Sequence, residues 1–561
     1  MYPPTDADLE AMVKAVRDPQ GMAAIPLIQV PRSGYFKSDA PHFMGNKAMP
    51  KILEPERSLD EAIAIATRWV RLFNGPGSTN PVRYWSIGNE MRQQDIRSHD
   101  PAVIAAKIHD FFLPIAAAMK EIDPNIKIFG PDEAWIEPTQ HALLFWNPEK
   151  RDGKGQPFAD AFDITGKVPG KDYYYCDGLS IHMYSYPIPR DEAELRAAIG
   201  FYGGNYRRAY NLISSHPRNL DKTLNPGDAL QWGIGEFNAG IDRRSQNGET
   251  FVNGQLFADT FGWAATYGAT FAMSWSLSEG TFGLFNRNDL PRPSYWHTRL
   301  MSEHCTGEMT DVALSESDGS GVLDRIQGKN PDWRVFANVD RKAQKVAVVI
   351  LNHGAAIPQV TVYDARGTPP SGAVIGLNFL KQPAPAPAAN PCEIGEVPEK
   401  STVVVVFKGK SVLKYIYSYV APGEDSFGLG PAQTIAQKNP WPTAAFPAPP
   451  APTVIADLPQ LFIHEGGTAT LTLRLSDPPT RSGKVVVSVA ANDPGKRVRV
   501  SPSSVTFTRN NWNVGQPIVF AVKADASQGN YQVPARIHAM GYPPVAIPLK
   551  VQDNPSMRLK K

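Results

Sequence analysis

Two short runs decide the fold: Arg83-Tyr84-Trp85-Ser86-Ile87-Gly88-Asn89-Glu90 and Leu230-Gln231-Trp232-Gly233-Ile234-Gly235-Glu236-Phe237-Asn238-Ala239-Gly240. Each is β-rich, with an aromatic member, a small residue near its end and a carboxylate where the run stops. A glutamate that closes an otherwise apolar strand is poorly placed for packing and well placed for chemistry. In a parallel α/β barrel, active sites are assembled at those strand ends.

Outward from these runs, helical and strand-like segments alternate. Helices are predicted at 5–18, 59–74, 102–122, 139–145, 192–214, 254–267 and 294–304, and strands at 24–30, 83–89, 126–130, 178–182, 230–235 and 271–277. The first helix has Thr5 or Asp6 as cap and Leu9, Met12, Val13 and Val16 on one face. Ala24-Ile-Pro-Leu-Ile-Gln-Val30 is the short apolar run of a buried parallel strand. Such alternation predicts a parallel sheet with helices outside it. A closed (β/α)8 TIM barrel needs eight strands, and six are legible. Residues 31–58 hold too many Pro, Gly, Lys and Asp to hide another. The expectation is a barrel whose first two strands are missing from this sequence.

Beyond residue 305 the pattern turns to period two, with strands predicted at 335–337, 346–351, 360–362, 403–407 and 415–419. The predicted domains are an N-terminally incomplete barrel (1–304), a β-sandwich packed on it (305–427), a Pro/Ala-rich linker (428–457) and a second β-sandwich (458–561). The last of these resembles the Calx-β and related immunoglobulin-like modules of bacterial extracellular enzymes. Phe462-Ile-His-Glu-Gly-Gly, Ser501-Pro-Ser-Ser-Val-Thr-Phe-Thr508 and Asn510-Asn-Trp-Asn513 carry that resemblance. It has no dense acidic cluster, so structural calcium is unsupported and no cofactor is implied.

Composition narrows the function by exclusion. With 561 residues the chain is too long for one core. Apolar content of 42% and charged content of 20% are those of an ordinary globular protein. A net charge of +2 makes no case for nucleic acid or an anionic membrane. No run of about 18 apolar residues is found, and the N-terminus lacks the basic and apolar regions of a signal peptide. The resemblance to modules of extracellular enzymes implies an extracellular or periplasmic location for a longer parent. Cys176, Cys305 and Cys392 give neither a disulfide framework nor a zinc spacing. The 11 histidines show no His-x-x-x-His spacing at strand ends, which argues against a metal hydrolase.

Glu90 and Glu236 lie 146 residues apart, each closing a strand. In this respect the six-strand region resembles the clan-A glycoside hydrolases, (β/α)8 barrels with an Asn-Glu pair ending strand four and a glutamate ending strand seven. The resemblance implies Glu90 as general acid/base and Glu236 as nucleophile of a retaining, double-displacement hydrolysis. The acid must stay protonated, which an apolar surround and a nearby carboxylate favour; the nucleophile must stay ionised, which hydrogen-bond donors favour. It further implies that Asn89 bonds the sugar 2-hydroxyl, that Tyr184 contacts Glu236, that His182 lines the site, and that Trp275 is a stacking platform. Asp132, Glu133 and Trp135 after strand five, Arg32 and Tyr35 after the first visible strand, and Asn238 are candidate substrate contacts. All could instead be rim or core residues.

Within the clan, a barrel followed directly by a β-sandwich resembles family 44 endoglucanases and xyloglucanases, and also families 39 and 51. Gly235-Glu236-Phe237-Asn238 departs from the family 44 pattern, and an agarase- or porphyranase-like family 86 assignment stays open, as does exo action. The resemblance implies a polysaccharide or oligosaccharide substrate and a monomer. Rival classes are a carbohydrate-binding protein with an inactive barrel and an adhesin built on the β-modules. Under the enzymatic reading, deleting residues 428–561 is expected to spare hydrolysis of a soluble substrate.

Overall fold

The computed structural model describes residues 5–18, 24–30, 42–44, 47–49, 58–91, 101–134, 136, 162–185, 187–240, 247–278, 280–286, 288–315, 322–323, 333–364, 373–378, 392–408, 411–421, 429–438, 451–479, 483–524 and 529–553. The chain divides into two compact units. One comprises residues 1–181, 212–232 and 451–561, the other residues 182–211 and 233–450.

The strands of the α/β region are Leu27–Val30 (β1), a separate hairpin of His42–Met44 (β2) and Lys47–Met49 (β3), then Tyr84–Ile87 (β4), Lys127–Ala134 (β5), Gly178–Tyr184 (β6), Gln231–Asn238 (β7) and Ala272–Ser274 (β8). Six of them make one sheet in the order β1-β4-β5-β6-β7-β8. The chain is thus mixed α/β with several further β-sheets, and the sheet holds the six strands legible in the sequence. Residues 31–58, read as free of strands, do contain the β2–β3 hairpin, two three-residue strands too short to show alternation. Pairing is parallel where β1 meets β4, β4 meets β5 and β7 meets β8. Successive strands are tied where they start: Lys127 N–H donates to Arg83 O, Asp177 N–H to Ile128 O and Gln231 N–H to Asp177 O, at 2.7, 2.7 and 2.8 Å.

The helices follow from local rules. Leu59–Asn74 (α2, after Asp6–Arg17, α1) opens with a capping box in which Ser58 and Glu61 satisfy each other's backbone N–H. Its Ala62, Ala66, Trp69, Val70 and Phe73, spaced by three and four, enter the core. Pro101–Ile122 (α3) buries Ile104, Ile108, Phe111, Phe112, Ile115 and Met119 beside them. By length and composition its Ala102–Ile122 segment is apolar enough to cross a membrane, and here it is a core helix. Glu192–Ser214 (α4) has the bounds read from the sequence. Phe251–Thr266 (α5) starts earlier than predicted because Thr250 caps it, accepting from Asn253 N–H at 3.0 Å. The helix predicted at 139–145 lies outside the described residues.

In the first unit, the C-terminal β-module is fastened to the residues that precede β4 to β7. Asn125, just before β5, makes two bonds to the backbone of Phe462, donating at 2.9 Å and accepting at 2.7 Å. Arg83 pairs with Asp123 and Asp457 at 3.4 and 3.1 Å and donates to Thr470 O. Asp228, before β7, accepts from Gln460 at 2.6 Å, and Lys550 lies 3.2 Å from Asp172. Tyr173 meets the Phe462 ring edge-on at 5.9 Å. Behind this layer Asp177 is fully buried between Lys120 and Lys127, at 2.6 and 3.0 Å, and the cations hold it well below the usual carboxylate range against its burial. The module's own core joins Leu461, Leu471, Phe507, Ile518, Phe520, Ile537 and Leu549.

In the second unit, Pro293–His304 (α6) and α5 pack on a sandwich whose core includes Val335, Val348, Ile350, Val403, Val405 and Phe407. Gln433–Lys438, assigned from the sequence to the linker, pairs antiparallel with Ser411–Tyr417. Trp263 of α5 meets Phe336 edge-on at 5.3 Å. His297 donates to Pro293 O at 2.7 Å and accepts from Thr402 Oγ1 at 2.9 Å. Burial pushes its pKa down to about 4, and that of His353 to about 3. Both stay neutral when folded and become protonated when unfolded below the ordinary value of about 6.5. Their contribution is therefore full above that value and lost as pH falls towards 4, about 2 kcal/mol by pH 5 for His297 alone. Asp259, pushed up to about 6 by burial, opposes this trend by losing stability as pH rises. A His297→Gln variant is expected to show a shallower loss of stability between pH 7 and 5 in urea titrations; an unchanged slope would contradict the assignment.

Candidate active site

On the first unit, β4 ends in a turn that only particular residues fit. Gly88 has φ +101°, and a Cβ there would lie 2.5 Å from Pro131 O. Glu90 and Asp132 are both left-handed, φ +50° and +55°, an arrangement costly for non-glycine residues and enriched at functional sites. They are tied together, since Glu90 N–H donates to Asp132 O at 2.8 Å. The Asp132 carboxylate accepts from Ser86 Oγ and, at 3.2 Å, from Gln29 Nε2. Gln29 also reaches Gly88 O at 3.0 Å and Asn89 Oδ1 at 3.3 Å. Asn89 and Glu90 are half-buried, whereas Asp132 and Glu133 are each only 2% exposed. Asp132, read as a substrate contact, is thus a support beneath the Asn89-Glu90 turn, and Glu133 is likewise buried.

On the second unit, β7 is irregular where its carboxylate sits. Register with β8 shifts between Ile234 and Phe237, so Gly235 and Glu236 are both half-buried instead of alternating. Such a bulge re-aims a side chain. The Glu236 carboxylate accepts from Tyr184 Oη at 2.8 Å, and His182 Nδ1 lies 3.5 Å from the same oxygen. Tyr184 is braced edge-on by Phe282, 6.0 Å between centroids. His182 is fully buried, so it lines the carboxylate and does not face solvent.

Trp275 exposes 42% of its surface, an indole face available for stacking. Its segment is held from below. Asn238, read as a substrate contact, is fully buried; it donates to Trp275 O and to Phe282 O, the latter at 2.9 Å, and accepts from Asn253 at 3.2 Å. It is a strut for the tryptophan. Arg292, buried, donates to Gly280, Gly283 and Phe285 carbonyls and fixes the same loop. Arg32, Tyr35 and Trp135 lie outside the described residues. Sequence reading missed Gln29, Ser86, Phe282 and Arg292. Gln29 and Ser86 were findable as polar residues inside apolar strand runs; Arg292, in a loop, carried no such signal.

No protein-family model and no curated protein matches the sequence. Among solved structures, the chain is similar to a family 44 endoglucanase from Clostridium thermocellum, at 14% identity and a TM-score of 0.37, covering 70% of this chain and 77% of that one. A family 44 xyloglucanase of Paenibacillus polymyxa matches at 13% identity and 0.37, covering 67% and 74%. A family 86 protein solved with neoagarooctaose matches at 12% and 0.37, covering 92% and 83%. At these scores the likeness carries no argument about activity, which must be made from the residues.

Proposed function

We propose that the chain is a retaining glycoside hydrolase acting on a β-linked polysaccharide, with an endo-acting glucanase or xyloglucanase as the favoured form. The observation that carries this reading is the Tyr184–Glu236 hydrogen bond. A phenol donating to a half-buried carboxylate at a strand end favours the ionised form that a nucleophile requires. The second support is Asn89-Glu90 at the end of β4, whose backbone is held in a costly conformation by Asp132.

In the proposed reaction Glu90 gives its proton to the glycosidic oxygen while Glu236 attacks the anomeric carbon and forms a glycosyl ester. The leaving sugar departs with that proton. Glu90, now a carboxylate, takes a proton from water, whose oxygen displaces Glu236 and yields a product of retained configuration. The mechanism requires the two carboxyl groups about 5–5.5 Å apart. Trp275 supplies a stacking face and Asn89 a hydrogen bond to the sugar.

Reducing-end release from xyloglucan, carboxymethylcellulose, mixed-linkage β-glucan and agarose should be compared for the full chain, Glu90→Ala and Glu236→Ala. Hydrolysis of at least one polymer by the unaltered chain, and its loss in both variants, is expected. Equal release from all three proteins would remove the assignment.

A further inference from the structure

We propose that Gln29, held in place by Asp132, is a positioning residue that fixes which end of the Asn89 amide faces the substrate. The inference rests on the glycosidase reading and adds residues that it does not use.

A glutamine amide has a donating nitrogen and an accepting oxygen, and the surroundings decide which lies where. Gln29 Nε2 faces three acceptors: Gly88 O at 3.0 Å, Asp132 Oδ2 at 3.2 Å and Asn89 Oδ1 at 3.3 Å. A carbonyl oxygen and a carboxylate oxygen accept and never donate, so only the Gln29 nitrogen fits there. Asp132 is not free to move, because Ser86 Oγ donates to the same carboxylate oxygen and the Asp132 carbonyl holds Glu90 N–H at 2.8 Å.

This orientation propagates one residue further. With Gln29 donating, the Asn89 oxygen is the end turned towards β1, which leaves the Asn89 Nδ2 hydrogens directed away as donors. A donor is what a sugar hydroxyl oxygen can accept from. Without Gln29, the Asn89 amide loses the partner that, among the described residues, distinguishes its two ends. Gln29 is the one polar side chain in the Leu-Ile-Gln-Val strand and remains exposed there, so its polarity is not explained by packing.

Two substitutions separate this role from a merely structural one. Gln29→Leu removes the donor. Gln29→Glu keeps the shape but sets an acceptor against three acceptors, one of them charged. Positioning predicts that kcat/KM on the polymer the unaltered chain cleaves falls roughly 10-fold in Gln29→Leu and roughly 100-fold in Gln29→Glu, mostly in kcat. In an Asn89→Ala background neither change should cost anything further. A packing role predicts the reverse order, with the near-isosteric Gln29→Glu the milder; that order, or full additivity with Asn89→Ala, overturns the proposal. A crystal structure of Gln29→Leu gives a readout independent of turnover. With neutron diffraction, which tells the amide nitrogen from its oxygen, the Asn89 amide is expected to lose its single orientation, and an amide still fixed with Oδ1 towards residue 29 would overturn the proposal even if no glycoside were cleaved. Absence of turnover by the unaltered chain would count against the glycosidase reading alone.

Discussion

Glu236→Ala is expected to lower kcat/KM by about 10⁴-fold or more on every substrate the chain cleaves, because no covalent intermediate forms without a nucleophile. Glu90→Ala is expected to behave differently. Loss of a general acid costs roughly 10²–10⁴-fold when the leaving group needs a proton, and far less with 2,4-dinitrophenyl glycosides, whose leaving group does not. The second step then lacks its base, so the ester accumulates and a burst of dinitrophenol appears. Added azide, which needs no base, should restore turnover in Glu90→Ala and give a β-glycosyl azide. In Glu236→Ala azide takes the place of the missing carboxylate and gives the α-glycosyl azide. The reverse pairing, the α-azide from Glu90→Ala and the β-azide from Glu236→Ala, would mean that the two roles are exchanged.

The second large effect concerns the C-terminal module. Asn125→Leu leaves the buried N–H and C=O of Phe462 without their partner, at about 1–3 kcal/mol for each group. Arg83→Leu removes the cation shared by Asp123 and Asp457, at about 3–5 kcal/mol for a fully buried pair and less here, because Asp457 is half exposed and Asp123 keeps its bond from Asn74 at 2.8 Å. Together they should lower stability by several kcal/mol in urea titrations, where single-site surface changes stay within about 0.5 kcal/mol. A protease site inserted between residues 439 and 450 offers a second test. After cleavage the two fragments should coelute, and the double variant should separate them. Coelution of the cleaved double variant would show that these contacts do not hold the module. Deleting residues 428–561, expected from the sequence to spare hydrolysis of a soluble substrate, would uncover Asn125, Arg83 and Asp228 where β5, β4 and β7 start and so is expected to lower stability.

The α/β elements were legible because each carries a local signal. The capping box at Ser58 and Glu61 and the three-and-four spacing of Ala62, Ala66, Trp69, Val70 and Phe73 specify α2 without help from the rest of the chain. Glu90 and Glu236 stood out for the opposite reason, as polar groups where apolar strands end, and the Tyr184 contact to Glu236 was an expectation of the clan resemblance. What stayed hidden depends on distant partners. Asn238 reads as one more strand-end polar residue, and only the carbonyls of Trp275 and Phe282 reveal it as a strut. Gln433–Lys438 has ordinary linker composition and becomes a strand because Ser411–Tyr417 offers an unpaired edge. The module's attachment rests on backbone groups of Phe462 and Thr470, which no side-chain pattern announces.

The most direct test of the central claim is covalent labelling. Incubation with a 2-deoxy-2-fluoro β-glycoside bearing a 2,4-dinitrophenyl leaving group, matched to the sugar of the polymer cleaved, slows the second step more than the first. Peptide mass spectrometry should then find one fluorosugar per chain, on the peptide containing Glu236, and none in Glu236→Ala. A label on another carboxylate, or turnover of the reagent with inverted product and no label, would contradict the account.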